Sequence, residues 1–291
     1  MHKLLTRIDQ LLGRYVHNKV PARLIYIPER RLVNRSFVLE HSRERLCQAF
    51  AGYPRKVSEV SLEAELRKTI AYATLSHRWG RKEATYADYV AFYERWKNGS
   101  DMARHSQDPG YVKLWNFLDA ASARGIQFAW ADTCCIDKSS SSELDEAIRS
   151  MFRWYKNSAL CIVHLAQTRS IEDMNEDEWF GRGWTLQELL APSKIKFMDK
   201  CWNPLKILGK VTNATGIPID TLRSFEPRTD KFGEKMSWAS RRSTTRDEDS
   251  TYSLMGMLNV SIQTAYGEGG PRAFRRLLDA VVRKAEDPSV M

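Results

Sequence analysis

Between residues 111 and 199 the chain switches three times from a helix-period pattern to a short apolar run, and this alternation restricts the fold more than any other feature. Tyr111, Leu114, Trp115, Leu118 and Ala121 mark a helix stopped at Arg124-Gly125, and residues 126–131 follow as a strand. Ser140 and Glu143 form a capping box for a second helix, whose Leu144, Ile148, Met151, Phe152 and Tyr155 share one face. Residues 159–165 are an apolar run, as expected of a parallel strand buried on both sides. A third helix starts after Gly183 and closes before Pro192, and residues 194–199 are the next strand. Strands separated by helices pair in parallel through crossover connections, so the chain is expected to be α/β, with a mostly parallel sheet and helices on its faces.

Helical and edge elements extend this core on both sides. Leu4, Leu5, Ile8, Leu11, Leu12, Tyr15 and Val16 recur at helical spacing and predict an amphipathic helix that packs on the body of the protein. Residues 23–28 and 31–33 read as short edge strands around a turn, since Pro28 has no N–H to give a ladder. Residues 57–70 fit strand or helix. Residues 71–76 are a strand running into His77-Arg78-Trp79-Gly80, residues 84–98 a helix and residues 98–101 a loop. The stretch 166–180 is an acidic linker. Beyond residue 200 the pattern is mainly helical. Leu205 to Val211 suggest a helix, residues 215–218 a turn, and Thr245 to Glu248 a second capping box. Pro271 opens a last helix with Phe274, Leu277, Leu278, Val281 and Val282 inward. The expected division is 1–64 for the N-terminal helix and edge elements, 65–200 for the α/β core, and 201–291 for a helical part packed on it.

With 291 residues, 43% of them hydrophobic and 28% charged, the chain has the make-up of a globular protein able to bury a large core. Its net charge of +9 favours anionic partners. The basic residues are spread along the chain rather than gathered in a stripe, which argues against a dedicated nucleic-acid binder. Five cysteines without CxxC spacing fit reduced thiols, the start lacks a secretory apolar core, and no run approaches a membrane span, so a cytoplasmic location is expected. His and Cys lack ligand spacing, so no metal site is expected. The Gly181 and Gly183 pair is not a GxGxxG fingerprint and no P-loop is present, so a nucleoside triphosphatase is not supported.

Polar and aromatic residues cluster where strands end: Ser76-His77-Arg78-Trp79-Gly80, then residues 130–137 with Asp132 and Asp137, then Arg182-Gly183-Trp184-Thr185-Leu186-Gln187-Glu188 at a helix start. Carboxyl ends of parallel strands share one edge, where open α/β sheets bind ligands, so these clusters can converge. On the third helix Leu186, Leu189 and Leu190 take one side, while Trp184 and Glu188, four apart, share the other. A ring beside a carboxylate suits a site that stacks a planar group next to a positive charge. The plainer reading has Trp184 filling a gap under a loop and Glu188 solvated, and the spacing alone leaves both open. His77 reads as a hydrogen-bonded strand-end residue as readily as an acid/base. Cys134-Cys135 read as buried side chains, since nothing nearby lowers a thiol pKa.

At these residues the sequence resembles the heterokaryon incompatibility (HET) domain of filamentous fungi. The segments 72–80, 130–138, 183–192 and 246–252 match it in order and spacing, and the resemblance covers roughly residues 65–270. It implies a role in cell death or self/non-self recognition, with an NLR-like chain as a possible activating partner. HET domains are in turn similar to TIR domains, flavodoxin-like modules that include NAD-cleaving enzymes. Those enzymes carry Trp-x-x-x-Glu with a catalytic Glu, the spacing of Trp184 and Glu188.

That likeness implies a TIR-like sheet and an NAD(P)+ glycohydrolase active when self-associated as a homo-oligomer, with NAD(P)+ as substrate and no cofactor. Nicotinamide leaves neutral from a cationic nitrogen, so one carboxylate that stabilises the oxocarbenium-like transition state suffices. The implied roles are Glu188 in catalysis and Trp184 in stacking. Arg78 and the amides near Gly80 or Gly183 would hold the pyrophosphate, with Asp132 and Asp137 on ribose hydroxyls and Ser76, His77, Trp79 and Arg182 completing the site. The rival expectation is a non-catalytic module that acts by oligomerisation and partner recruitment, with the same residues forming interfaces.

Overall fold

Strand β3 (Tyr72–His77) is buried along its whole length and is shared by two compact units of the chain. The computed structural model describes residues 2–52, 57–97 and 108–285; the loop expected at 98–101 lies outside the described residues. The first unit runs to Thr74 and resumes over Lys82–Asp137. The second comprises Leu75–Arg81 and the chain from Lys138 onward.

In the first unit α1 (His2–Lys19) buries Leu4, Ile8, Leu12 and Val16, the i, i+4 row that its sequence predicts. Strands β1 (Arg23–Tyr26) and β2 (Arg31–Asn34) pair antiparallel around a 3-10 turn that takes up Pro28, with Arg30 left-handed at φ 48°. Only β2 is an edge strand. β1 also pairs antiparallel with β4 (Phe128–Trp130), which corrects its reading as an edge: Pro28 lies beyond the strand, in the turn, and so costs the ladder nothing. α2 (Arg35–Phe50) is capped by the Asn34 side chain on the Phe37 N–H. The ambiguous stretch is helical as α3 (Glu59–Thr69), capped by Ser58. α4 (Tyr86–Lys97) and α5 (Pro109–Ser122) meet through Tyr89, Phe92, Tyr111 and Trp115, and Gly125 ends the second at φ 71°. β4 runs parallel to β3, and the strand order is β2-β1-β4-β3.

In the second unit Ser140 caps α6 (Ser141–Asn157), and the Tyr155 hydroxyl donates to the Leu75 carbonyl at 2.8 Å, pinning this helix to β3. β5 (Leu160–His164) runs parallel to β6 (Ile195–Met198), and β7 (Pro204–Leu205) closes the edge antiparallel, giving the order β3-β5-β6-β7. The chain is thus α/β, as the alternation predicts, with a sheet parallel at its centre and antiparallel at its edges and with flanking helices, consistent with the flavodoxin-like arrangement that the resemblance implies. α7 (Trp184–Leu190) sits between β5 and β6 in sequence and buries every residue from Thr185 on.

The remainder is helical, with boundaries that differ from the sequence reading. Leu205 belongs to β7, and α8 (Leu208–Thr215) starts only after it. α9 (Ile219–Arg223) follows, and α10 (Phe232–Ala239) falls where no helix was expected. The second capping box does not form. α11 (Asp249–Tyr252) begins after Glu248, whose carboxylate instead accepts the Gly267 and Gly269 amides at 2.8 and 3.0 Å. α12 (Gly270–Ala285) buries Ala273, Leu277 and Val281, while Val282, expected inward, is 52% exposed because it falls a further 100° around the helix. Among the described residues no helix is long and apolar enough to cross a membrane, and no His, Cys, Asp and Glu group could hold a metal ion.

Candidate functional site

Ser76, fully buried near the end of β3, carries a hydroxyl that joins three elements of the second unit. It donates to Glu188 Oε2 at 2.5 Å and accepts from the Trp179 indole N–H at 2.9 Å. Trp179 stands in a 3-10 turn, Glu178–Gly181, placed by the Asp177 carboxylate on its backbone N–H at 3.0 Å. Glu188 lies one turn into α7 and is 6% exposed. The carboxylate is therefore neither solvated nor isolated, since burial on this scale requires the donors that the fold supplies.

Arg242 supplies the opposite charge. Its Nη1 donates to the Arg182 carbonyl at 2.9 Å and to Thr185 Oγ1 at 2.8 Å, at the entry of α7. Burial pushes this guanidinium down to about 10, and the Glu188 carboxylate pulls the other way. The first turn of α7 is thus tied to residues 181–183 and to Arg242 at once.

The entry itself is a short parallel bridge between Arg182 and Ser243. The Gly183 N–H donates to the Ser243 carbonyl and the Ser243 N–H to the Gly181 carbonyl, both at 2.8 Å. Any Cβ on Gly183 would overlap the Thr244 methyl, so glycine is needed for the approach of two backbones. The Gly183 amide, expected to face a pyrophosphate, is consequently spent inside the protein.

Over this bridge lies a cleft of about 330 Å³, walled by Arg78, Glu178, Gly181, Arg182, Trp184 and the 243–245 segment. Arg78 Nη2 is paired with Glu178 Oε2 at 2.5 Å. The Trp184 indole acts on the Asp249 carboxylate from nearby, and Asp249 accepts from the Tyr266 hydroxyl at 2.8 Å. Burial raises the Asp249 carboxyl above its ordinary value, and these two groups moderate the rise. Two guanidinium groups, one carboxylate, an aromatic ring and three hydroxyl side chains thus surround one small cleft.

Of the residues singled out from sequence, Arg78, Arg182 and Trp184 line this cleft, and Ser76 and Glu188 are hydrogen-bonded together. His77 is buried, Gly80 is exposed, and Trp79 carries Lys138 Nζ over its ring at 3.6 Å. Asp132 and Asp137 belong to the first unit. Cys134 is a poor nucleophile: its contact with Cys135 and its burial both push its thiol up. Trp179, Glu178 and Arg242 escaped the sequence reading. A Trp-Phe pair inside an acidic linker, and an arginine pair next to three hydroxyl residues, were the available signals.

Residues 72–173 match the family model described as heterokaryon incompatibility protein (HET), so the chain carries a HET domain. It is 37% identical over 227 residues, 72% of its length, to the vegetative incompatibility protein HET-E-1 of Podospora anserina. The chain spans 16% of the length of that relative. No solved structure matches it significantly.

Proposed function

We propose that this HET-domain protein is a cell-death effector of heterokaryon incompatibility whose cleft binds NAD(P)+ and whose Glu188 supports release of nicotinamide. The observation that carries this reading is the Ser76-Glu188 pair one helical turn from Trp184, which lines a cleft together with Arg78 and Arg182. In this reading the arginines take the pyrophosphate and the ring of Trp184 stacks on a base. Glu188, hydrogen-bonded by the Ser76 hydroxyl and opposite in charge to the buried Arg242, stabilises positive charge developing on the ribose. The bond broken joins the ribose C1′ to the nicotinamide nitrogen, water supplies the new oxygen, and the pyridine leaves with the bonding electron pair. Self-association and activation by an NLR-like partner belong to the same proposal.

Nicotinamide release by concentrated protein, compared with a folded Glu188→Gln variant, tests it. A rate that falls by about 100-fold or more supports the carboxylate's role. Equal rates remove Glu188 from catalysis.

The burial of Glu188 favours a second reading, in which Ser76, Trp179, Arg242 and Glu188 only brace α7 and the cleft recruits a partner. That reading stands if Glu188→Gln kills cells without NAD loss while substitutions at Arg78 and Arg182 abolish killing.

A further inference from the structure

Glu178 stands in the cleft as an acid among groups that otherwise suit an anion. Its carboxylate is ion-paired with Arg78, and both side chains are about half exposed, at 49% and 45%. Arg182 lines the same cleft, so the walls carry two positive charges and one negative. The fold holds Glu178 there by its backbone: its N–H donates to Gln167 Oε1 at 2.9 Å, and the neighbouring Trp179 is tied to Ser76. The acid is thus built into the rim, yet its side chain is exposed enough to swing away.

We infer that Glu178 is a built-in competitor for the ligand's phosphates, a latch that occupies Arg78 until a polyanion displaces it; this rests on the reading of the cleft as a nucleotide site. A diphosphate carries enough charge to engage Arg78 and Arg182 together and so replaces the Glu178 carboxylate with a stronger partner. A single carboxylate or monoanion offers Arg78 nothing better than it already has. Glu178 therefore sets selectivity for diphosphate-bearing molecules and keeps the cleft closed to abundant small anions. The cost to an incoming ligand is that of breaking one half-exposed ion pair, which is modest and screened by salt.

The probe is inorganic pyrophosphate, titrated at low salt against wild type, Glu178→Gln, Arg78→Gln and the double variant, with Trp fluorescence as readout. Glu178→Gln is expected to bind about three- to tenfold more tightly than wild type, with the gain shrinking as salt is raised. Acetate, negligible on wild type, is expected to become a detectable competitor on Glu178→Gln. In the Arg78→Gln background the gain should vanish. Equal or weaker binding by Glu178→Gln, a gain that survives loss of Arg78, or no pyrophosphate binding by either protein overturns the latch. Nicotinamide release from the same preparations reports separately on the cleavage reaction. Turnover that depends on Glu188 with no effect of Glu178 keeps the reaction and discards the latch, and the converse result does the reverse.

Discussion

The Ser76 hydroxyl stands 2.5 Å from Glu188 Oε2, so a strand-end serine and a helix carboxylate more than a hundred residues apart are one hydrogen-bonded unit. The same oxygen receives the Trp179 indole at 2.9 Å, and none of the three side chains has bulk water to replace a lost partner. Ser76→Ala removes a donor from a buried carboxylate and the acceptor of a buried indole N–H together. The expected loss is about 2–4 kcal/mol in urea-unfolding free energy, since a buried polar group that loses a hydrogen-bond partner costs about 1–3. A loss under about 0.5 kcal/mol would mean that the carboxylate does not depend on this donor.

Gly183 offers a test of packing rather than polarity. Alanine there meets the Thr244 methyl across the Arg182-Ser243 bridge, and overpacking of this kind costs about 1–3 kcal/mol. Thr244→Ser deletes only that methyl and keeps the hydroxyl that donates to the Arg246 carbonyl at 2.7 Å. The double variant Gly183→Ala/Thr244→Ser should therefore recover most of the lost stability. By contrast Gly256→Ala meets the Phe152 Cβ and ring in the core and should show no rescue by a change at position 244. Thermal melts of wild type, of Gly183→Ala and Gly256→Ala, and of each combined with Thr244→Ser decide the matter.

What the sequence announced and what it hid differ by a physical rule. Periodicity is set by local burial, so α5, α6, β5 and α7 could be located from residues within each segment. The closeness of Gly183 to the 243–244 segment did not follow from local features, which suggested a turn or a ligand there rather than a second backbone. Partners across long sequence distances left no such mark. Arg242 reaches α7 from a stretch that reads as solvated Ser, Thr and Arg, and Trp179 sits in what looks like an acidic loop. Glu188 illustrates the gap best: helical spacing set it one turn from Trp184 on a shared face, whereas in the fold it is buried on Ser76 and is not among the residues that wall the cleft. Glu248 is the complementary case. Its spacing from Thr245 fits a capping box, yet the glycine amides of a later loop outcompete the local partner.

That loop gives Glu248 a pH signature. Its own backbone N–H, then those of Gly269 and Gly267, hold its carboxyl below the ordinary value of 4.5. A carboxylate whose native pKa is depressed adds stability above its unfolded pKa and loses it as pH falls through the native value, because the unfolded state binds the proton first. Wild type should therefore lose stability as the pH is lowered from about 5 toward 3. Glu248→Gln should start less stable at neutral pH and show a shallower decline over the same window. Parallel slopes in urea titrations across this range would remove Glu248 from the acid response.

The last relationship to test is between Arg242 and Glu188, whose charges oppose one another around the start of α7. Removing the cation alone takes the opposite charge away from a buried carboxylate, and removing the carboxylate alone leaves a guanidinium already pushed down by burial. Each of Arg242→Gln and Glu188→Gln is expected to cost about 1–3 kcal/mol, and Arg242→Gln the more, since it also deletes the bonds to the Arg182 carbonyl and Thr185. The double variant should cost clearly less than the two together, with a coupling of about 1 kcal/mol or more in a double-mutant cycle. If the carboxylate acts on a ribose, nicotinamide release by Arg242→Gln should fall as well, since the first turn of α7 that carries Glu188 loses its anchor. Additive stability losses together with turnover unchanged from wild type would show that the two charges do not communicate, and Arg242 would then be a brace for the 181–185 backbone alone.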